Sequence, residues 1–266
     1  MTIRVAAYQN FAKNSHKERV DEILEVVKQA DQKKIDFLCF PEGYLTGYYE
    51  EKELAEETAL EIEGSEFKAF LRQASIFKTT FIIGFNERQG HQIFDSAAII
   101  EKGVLLGVQR KHFLYHNYFA SDDEFSVFHS KGITFGVVIC MDSNYFEPCR
   151  LLALKGAAIL FIPMCNKVPL NHALTSRPNY YSHFVARSYE NRCWLVAADW
   201  VFPNDGKNIC PGHSVIYDPN GCEQARSVEN RYDCILLDIA KDSLCINKGR
   251  RVSGSPILKE KLNSQN

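Results

Sequence analysis

The feature that most restricts the fold of this chain is an alternation between short apolar, β-branched runs and stretches of helical periodicity. The runs that predict strands cover residues 3–9, 37–40, 81–85, 96–100, 105–108, 134–139, 158–162, 195–198, 214–217 and 235–239. Ser15 and Glu18 form a capping box that opens one helix, and further helical patterns lie near residues 66–77, 146–155 and 176–190. Many strands with fewer helices predict the α/β class, with two mixed sheets packed face to face and helices outside them.

No linker, repeat or low-complexity segment interrupts this pattern in the 266 residues. We therefore predict a single domain over residues 1–252. The tail at 253–266 loses periodicity, and we expect it to be mobile or to dock on a partner subunit.

The charge and hydropathy of the chain restrict its partners. A formal net charge of -2 provides no basic footprint for nucleic acid. No apolar run reaches the roughly 18 residues of a membrane span, and the N-terminal segment has the pattern of a buried strand rather than of a signal peptide. We therefore expect a cytoplasmic protein that acts on small molecules and binds neither nucleic acid nor membrane.

The nine cysteines argue against both a disulfide framework and a zinc site, because no Cys-x-x-Cys pair occurs among them. Several lie in or beside apolar runs, where a reduced thiol behaves as a small hydrophobic side chain. For any one of them taken alone, a position in the core is the simpler interpretation.

Three residues at the ends of predicted strands are candidates for catalytic roles. Glu42 follows the apolar run 37–40, and a carboxylate there is costly unless it has a partner or lines a cleft. Lys111 follows the run 105–108, although an exposed basic turn is the simpler interpretation of its surroundings. Cys140 ends a strongly apolar run, just before a turn, where a nucleophile would be exposed on a rigid support near backbone N–H donors.

These residues and their spacing resemble the signature of the carbon–nitrogen hydrolase family, also called the nitrilase superfamily. Cys140 is followed by Asp142, Glu147 and Arg150. Glu42 precedes it in a Phe-Pro-Glu context, and Lys111 in an Arg-Lys-His context that is similar to the family's Arg-Lys-x-His. The resemblance extends over residues 3–240. It includes the loop at 43–48 with Tyr44, Gly47 and Tyr48, the helical segment with Ala186, Arg187, Glu190 and Asn191, and the segment with Gly212, Ser214, Asp218, Pro219 and Gly221.

The resemblance implies a four-layer α-β-β-α sandwich, no metal or organic cofactor, and a homodimer formed through the outer helices. It implies that Glu42 is the general base, that Cys140 is the nucleophile, and that Lys111 and the backbone N–H of Met141 stabilise the oxyanion. Asp142, Glu147 and Arg150 would have structural roles.

Four further residues are candidates for substrate binding: Tyr48, Tyr115, His116 and Asn166. Asn166 follows an apolar strand and fits a simple turn residue equally well. The substrate would be the amide, carbamoyl or nitrile group of a small molecule, with water as the second reactant.

The sequence departs from the family at one position. Most members carry a second Glu shortly before an aromatic pair, and the residues aligned before Tyr118 and Phe119 contain no carboxylate. The acidic run 122–124 could supply the charge, or Tyr115 and His116 could hold the water by neutral hydrogen bonds. The neutral alternative is favoured, because Tyr115 and His116 lie at the expected place.

Three functions remain open. A stand-alone amidase or related hydrolase is favoured. Amide or acyl transfer fits less well, because neither a synthetase domain nor a membrane segment is attached. A protein that has kept the family fold but lost turnover, and only binds a ligand or partner, is the third, and the missing second Glu is its only support.

Overall fold

The computed structural model describes residues 1–13, 15–176 and 182–245, so the predicted tail at 253–266 lies outside the described residues. Its strands are β1 (Thr2–Phe11), β2 (Phe37–Cys39), β3 (Thr80–Gln89), β4 (Gln92–Glu101), β5 (Val104–Arg110), β6 (Val127–Ser130), β7 (Ile133–Val137), β8 (Ile159–Pro163), β9 (Val168–Pro169), β10 (Trp194–Ala198), β11 (Trp200–Val201), β12 (Asn208–Ile209), β13 (Val215–Tyr217), β14 (Glu223–Arg226) and β15 (Asp233–Ala240). Its α-helices are α1 (His16–Gln32), α2 (Lys52–Thr58), α3 (Ser65–Ala74), α4 (Phe146–Leu154), α5 (Leu170–Ser176) and α6 (Ser182–Asn191), and 3₁₀ turns cover Cys140–Asn144 and Lys241–Cys245.

Most of the strands form two mixed sheets, as the sequence predicts, while β9 and β12 pair separately as a two-stranded sheet. One has the order β11-β1-β2-β3-β4-β5, with β15 antiparallel to β1, and the other has the order β14-β13-β10-β8-β7-β6. Strands β1, β2 and β3 are parallel to one another, and so are β7, β8 and β10. The carboxyl ends of each parallel set therefore share one edge of their sheet.

The two sheets pack against each other, with helices on their outer faces. In β2, Phe37 and Cys39 belong to the core between the sheets, whereas Leu38 belongs to the core beneath α1 and α3. This two-residue alternation with both faces buried explains why the strand is apolar throughout. A third core lies between the second sheet and α4 and α6, where Leu152 and Phe184 pack. The predicted α-β-β-α sandwich is confirmed.

Helix α1 begins as its sequence predicts. The Ser15 hydroxyl accepts a hydrogen bond from the Glu18 backbone N–H at 3.2 Å, and the Glu18 carboxylate accepts one from the Ser15 N–H at 3.1 Å. Ile23 and Val27, one turn apart on this helix, are fully buried. Within the described residues, no helix combines the length and hydropathy needed to cross a bilayer.

Candidate active site

Glu42 lies in a turn directly after β2, and its main chain is fixed by both sheets. The Glu42 N–H donates to the Met164 carbonyl at 3.3 Å, and the Trp200 indole N–H donates to the Glu42 carbonyl at 2.6 Å. A Cβ on Gly84 would lie 2.2 Å from the Gly43 nitrogen, so β3 can pass this turn only without a side chain. The carboxyl group is thus held in the interior, where the residue is 1% exposed.

Lys111 follows β5 and is bound by two carboxylates. Its ammonium donates to Glu42 Oε1 and, at 2.9 Å, to Asp95 Oδ2. The Lys111 backbone N–H also donates to the Asp95 carbonyl at 2.9 Å, so the same residue of β4 anchors both ends of the lysine. All three side chains are buried. The structure therefore brings Glu42 and Lys111 together and adds Asp95, which the sequence analysis missed.

A signal for Asp95 was present in the sequence. It lies in the apolar segment Ile93-Phe94-Asp95-Ser96-Ala97, and a carboxylate in a buried strand is costly unless it is paired. The acidic run 122–124 lies elsewhere: the Asp122 carboxylate is 3.4 Å from Arg110 and also caps the Glu124 N–H at 3.0 Å. The carboxylate that contacts the Lys111 ammonium beside Glu42 therefore comes from β4.

Cys140 is the first residue of the 3₁₀ turn that follows β7. Its backbone has a φ of 42°, in the left-handed region that non-glycine residues rarely adopt. The side chain is half-buried, and its Sγ lies 3.9 Å from the Cys165 carbonyl oxygen. Such a strained strand-to-helix turn matches the elbow geometry expected for an exposed nucleophile.

The charges at this site act on one another. Burial raises the pKa of the Cys140 thiol well above its ordinary value, and the Glu42 carboxylate raises it further while Lys111 opposes both. Burial also raises the pKa of Glu42. The Lys111 ammonium opposes this shift, and the Asp95 carboxylate adds to it. Burial disfavours the Lys111 ammonium, but the Asp95 and Glu42 carboxylates outweigh this effect, and the pKa of Lys111 lies well above its ordinary value. The resting thiol is therefore neutral and needs a base.

Asp142 links the turn of Cys140 to the segment of Lys111. Its carboxylate accepts hydrogen bonds from the backbone N–H groups of His112 at 3.2 Å and Phe113 at 2.7 Å. Burial raises the pKa of Asp142 to about 6, although these N–H groups oppose the shift. Two strand ends from different sheets are thereby held at a fixed separation.

Arg187 of α6 supports the same turn from the other side. Its guanidinium donates to the Ser143 carbonyl at 3.0 Å and to the Asn144 carbonyl at 2.8 Å. Glu147 is exposed in the first turn of α4, and Arg150 is half-buried on the same helix. The turn that carries Cys140 is thus fixed by Asp142 and Arg187.

A pocket of about 210 Å³ opens beside Cys140 and Lys111, and Tyr48, Tyr115, Met141 and Asn166 also line it. His116 lies behind Tyr48, whose hydroxyl is 3.2 Å from His116 Nε2. Burial and the Lys111 charge lower the pKa of His116, so its ring is neutral.

Asn166 follows β8 in a segment that is neither helix, strand nor turn. It lines the pocket, and its backbone N–H donates to Asp199 Oδ1 at 3.0 Å. Burial lowers the pKa of His183, which also lines the pocket, to about 4.

The chain belongs to the carbon-nitrogen hydrolase family, whose model matches residues 4–243. It is 27% identical to an (R)-stereoselective amidase of Pseudomonas sp. over 70% of this chain and 66% of that protein, just under two thirds of its length. It is also 27% identical to a nitrilase of Pyrococcus abyssi over 86% of this chain and 85% of that protein.

A similar fold occurs in the carbon-nitrogen hydrolase of Helicobacter pylori G27. The two structures superpose with a TM-score of 0.86 at 20% identity, and the match covers 98% of each chain. At this identity the likeness concerns the fold alone.

Proposed function

We propose that this protein hydrolyses a carbon–nitrogen bond of a small molecule, most simply an amide, through a thioester on Cys140. The observation that carries the proposal is the buried Lys111 ammonium, which is bound by Glu42 and lines the same pocket as the Cys140 thiol. A carboxylate base, a cationic oxyanion partner and a nucleophile are the three groups that acyl transfer from an amide requires.

In the first half-reaction, Glu42 removes the Cys140 proton as Sγ attacks the carbonyl carbon. Negative charge then develops on the carbonyl oxygen, where the Lys111 ammonium and the Met141 backbone N–H stabilise it. Each such donor typically contributes about 3–4 kcal/mol to the transition state. The adduct collapses as Glu42 returns the proton to the amide nitrogen, the carbon–nitrogen bond breaks, and the amine leaves behind a thioester.

The second half-reaction releases the acid. Glu42, again ionised, takes a proton from water while the water oxygen attacks the thioester carbon. The carbon–sulfur bond breaks, and the Cys140 thiolate recovers the proton from Glu42. A nitrile would enter the same cycle through a thioimidate, whose nitrogen water later replaces, and a carbamoyl group would enter as an amide does.

The pocket favours a small reacting group. Its volume of about 210 Å³ suits the acyl portion of a compact substrate. Tyr48, Tyr115 and Asn166 are placed to contact that portion, and His116 acts through Tyr48. Amide and acyl transfer would use the same thioester but need a second acceptor in place of water. The binding-only alternative rested on the missing carboxylate, and Asp95 at Lys111 weakens that argument.

The proposal is tested by incubating the protein with a panel of small amides, carbamoyl compounds and nitriles and measuring its intact mass after rapid acid quench. We expect a covalent acyl adduct on Cys140 and release of ammonia or amine with at least one amide. If compounds are bound but neither an adduct nor a product forms with any member of the panel, the binding-only alternative is favoured instead.

We also propose a homodimer formed through α4 and α6. These adjoining outer helices expose several large apolar side chains: Phe146, Leu151, Leu154, Val185 and Tyr189, each at least 38% exposed. A contiguous apolar surface of this kind typically marks an interface, and a two-fold axis would bury both copies of it.

The dimer is tested by light scattering on the eluting protein. The parent should have twice the chain mass of 30.4 kDa, and Leu151→Glu with Val185→Glu should halve it, because charges would be buried without partners. Ile76→Glu changes an equally apolar side chain that is 75% exposed outside these helices, and should leave the mass unchanged. A parent that elutes as a single chain would contradict the proposal.

We place the protein in the cytoplasm. The support is that eight of the nine cysteines are free thiols in the structure, as a reducing compartment maintains them.

A further inference from the structure

We propose that Asp95 is a positioning residue of this site: it shares the Lys111 ammonium with Glu42, so that Glu42 is not neutralised by Lys111 and can act as the base. The inference rests on the proposed function for its catalytic meaning. It goes beyond that function because it gives a task to a carboxylate that neither half-reaction uses.

Asp95 fixes the orientation of the Lys111 ammonium. A lysine has three N–H donors, and in the described structure Glu42 Oε1 and Asp95 Oδ2 accept two of them. With two donors committed to fixed acceptors, the direction of the third is set. Because Lys111 lines the pocket, that third donor is the one available to a developing oxyanion. Without Asp95, the ammonium would be held by Glu42 alone, and its other two N–H donors would be free to rotate.

Asp95 also changes the balance of charge around Lys111. One cation and two carboxylates are buried together, each 5% exposed or less. A lone Glu42–Lys111 pair would stabilise the ionised carboxylate and make it a weak base. Asp95 competes for the same cation and places a second negative charge near Glu42. Burial is the largest cause of the raised pKa of Glu42, and the Asp95 charge raises it further. A base of higher proton affinity suits the removal of a proton from a neutral thiol.

The carboxyl oxygens of Glu42 and Asp95 that do not bind Lys111 are a further feature of this cluster. Glu42 Oε2 and Asp95 Oδ1 are buried, and neither has a hydrogen-bond partner within the described residues. The two carboxyls are close enough to form a hydrogen bond once one of them is protonated. The proton that Glu42 removes from Cys140 would thus be held in place by Asp95 until the leaving amine takes it.

Other titratable groups act on this cluster from the elements packed around it. They are Cys140, Asp142, Tyr48, His116, Tyr118 and Cys165. Of these, Asp142 is bound by backbone N–H groups and His116 is neutral. Apart from the base Glu42, Asp95 is therefore the carboxylate whose removal changes the charge at Lys111 most directly.

The test is Asp95→Asn, which keeps the size of the side chain and removes its charge. Iodoacetamide alkylation of Cys140 is followed against pH, in a Cys222→Ala background because Cys222 is an exposed thiol. Loss of the negative charge should lower the pKa of the Glu42–Cys140 system, so the alkylation profile should move to lower pH by about one unit or more. In the hydrolysis assay, kcat should fall by about 10- to 100-fold with little change in KM.

The matched control is Asp122→Asn, which removes a nearby carboxylate that contacts Arg110 rather than Lys111. It should leave both the alkylation profile and kcat unchanged. If Asp95→Asn does not fold, Asp95→Ser provides a smaller uncharged variant for the same measurements. A folded variant whose alkylation profile matches that of the parent would overturn the proposal. Because alkylation needs no substrate, a shifted profile would support it even if no amide is hydrolysed.

Discussion

Replacement of Cys140 by alanine is expected to abolish turnover while the protein keeps its fold. No other described thiol lines the pocket except Cys165, which is buried and follows a different strand. Loss of a covalent nucleophile typically reduces kcat by about 10⁴-fold or more. The measurement is the initial rate on a substrate that the parent hydrolyses, together with the intact mass, in which the acyl adduct should be missing.

Cys222→Ala is the control, because it removes an exposed thiol outside the pocket. It should keep full activity, and alkylation of this variant should inactivate it with one modified residue, Cys140. Retention of turnover by Cys140→Ala would refute the assignment of the nucleophile. If activity were lost in proportion to alkylation of a different cysteine, that cysteine would be the nucleophile instead.

Glu42→Gln is expected to lower kcat by about 10²- to 10⁴-fold, because the variant keeps the side-chain volume but has no base. Asp95 still pairs with Lys111 in this variant, so the fold should persist. In the parent, kcat should fall at low pH because Glu42 becomes protonated. This fall should be absent from the pH profile of Glu42→Gln. Combining Glu42→Gln with Cys140→Ala should cost no more than the larger single effect, since the two residues act as one unit.

Lys111→Ala should slow turnover to a similar extent but also destabilise the protein. The structure shows that Lys111 holds two buried carboxylates, and removal of one partner of a buried ion pair typically costs about 3–5 kcal/mol. A denaturant titration of the folded variants separates this loss from the loss of turnover. Normal kcat in either Glu42→Gln or Lys111→Ala would contradict the roles assigned to these residues.

The central strands of this fold are predictable because both of their faces are buried. Runs such as 37–40 and 158–162 are apolar throughout, and they correspond to β2 and β8. Helix α2 and strand β14 were missed, because polar residues dominate their sequences and neither has the periodicity of a buried face. The pattern predicted as a helix at 176–190 overlaps α6 and extends into residues outside those described.

The candidate site was predictable only where a polar residue ends an apolar run. Glu42, Lys111 and Cys140 all occur in that way, and the parallel strand ends meet at shared edges. Asp95 lies inside a strand, and its partner depends on how β4 and β5 pair laterally. Ser96 lies opposite Arg110, and this register places Asp95 beside Lys111. Register between strands cannot be read from one sequence, whereas the end of a strand can.

The left-handed backbone of Cys140 limits the nucleophiles that evolution or engineering could place there. A branched β-carbon clashes in this region of φ, and even an unbranched side chain costs about 1–2 kcal/mol. Serine has the same Cβ and a smaller oxygen, so it is sterically compatible with the turn. Threonine is not, and this scaffold therefore cannot become a threonine hydrolase by a single substitution at its elbow.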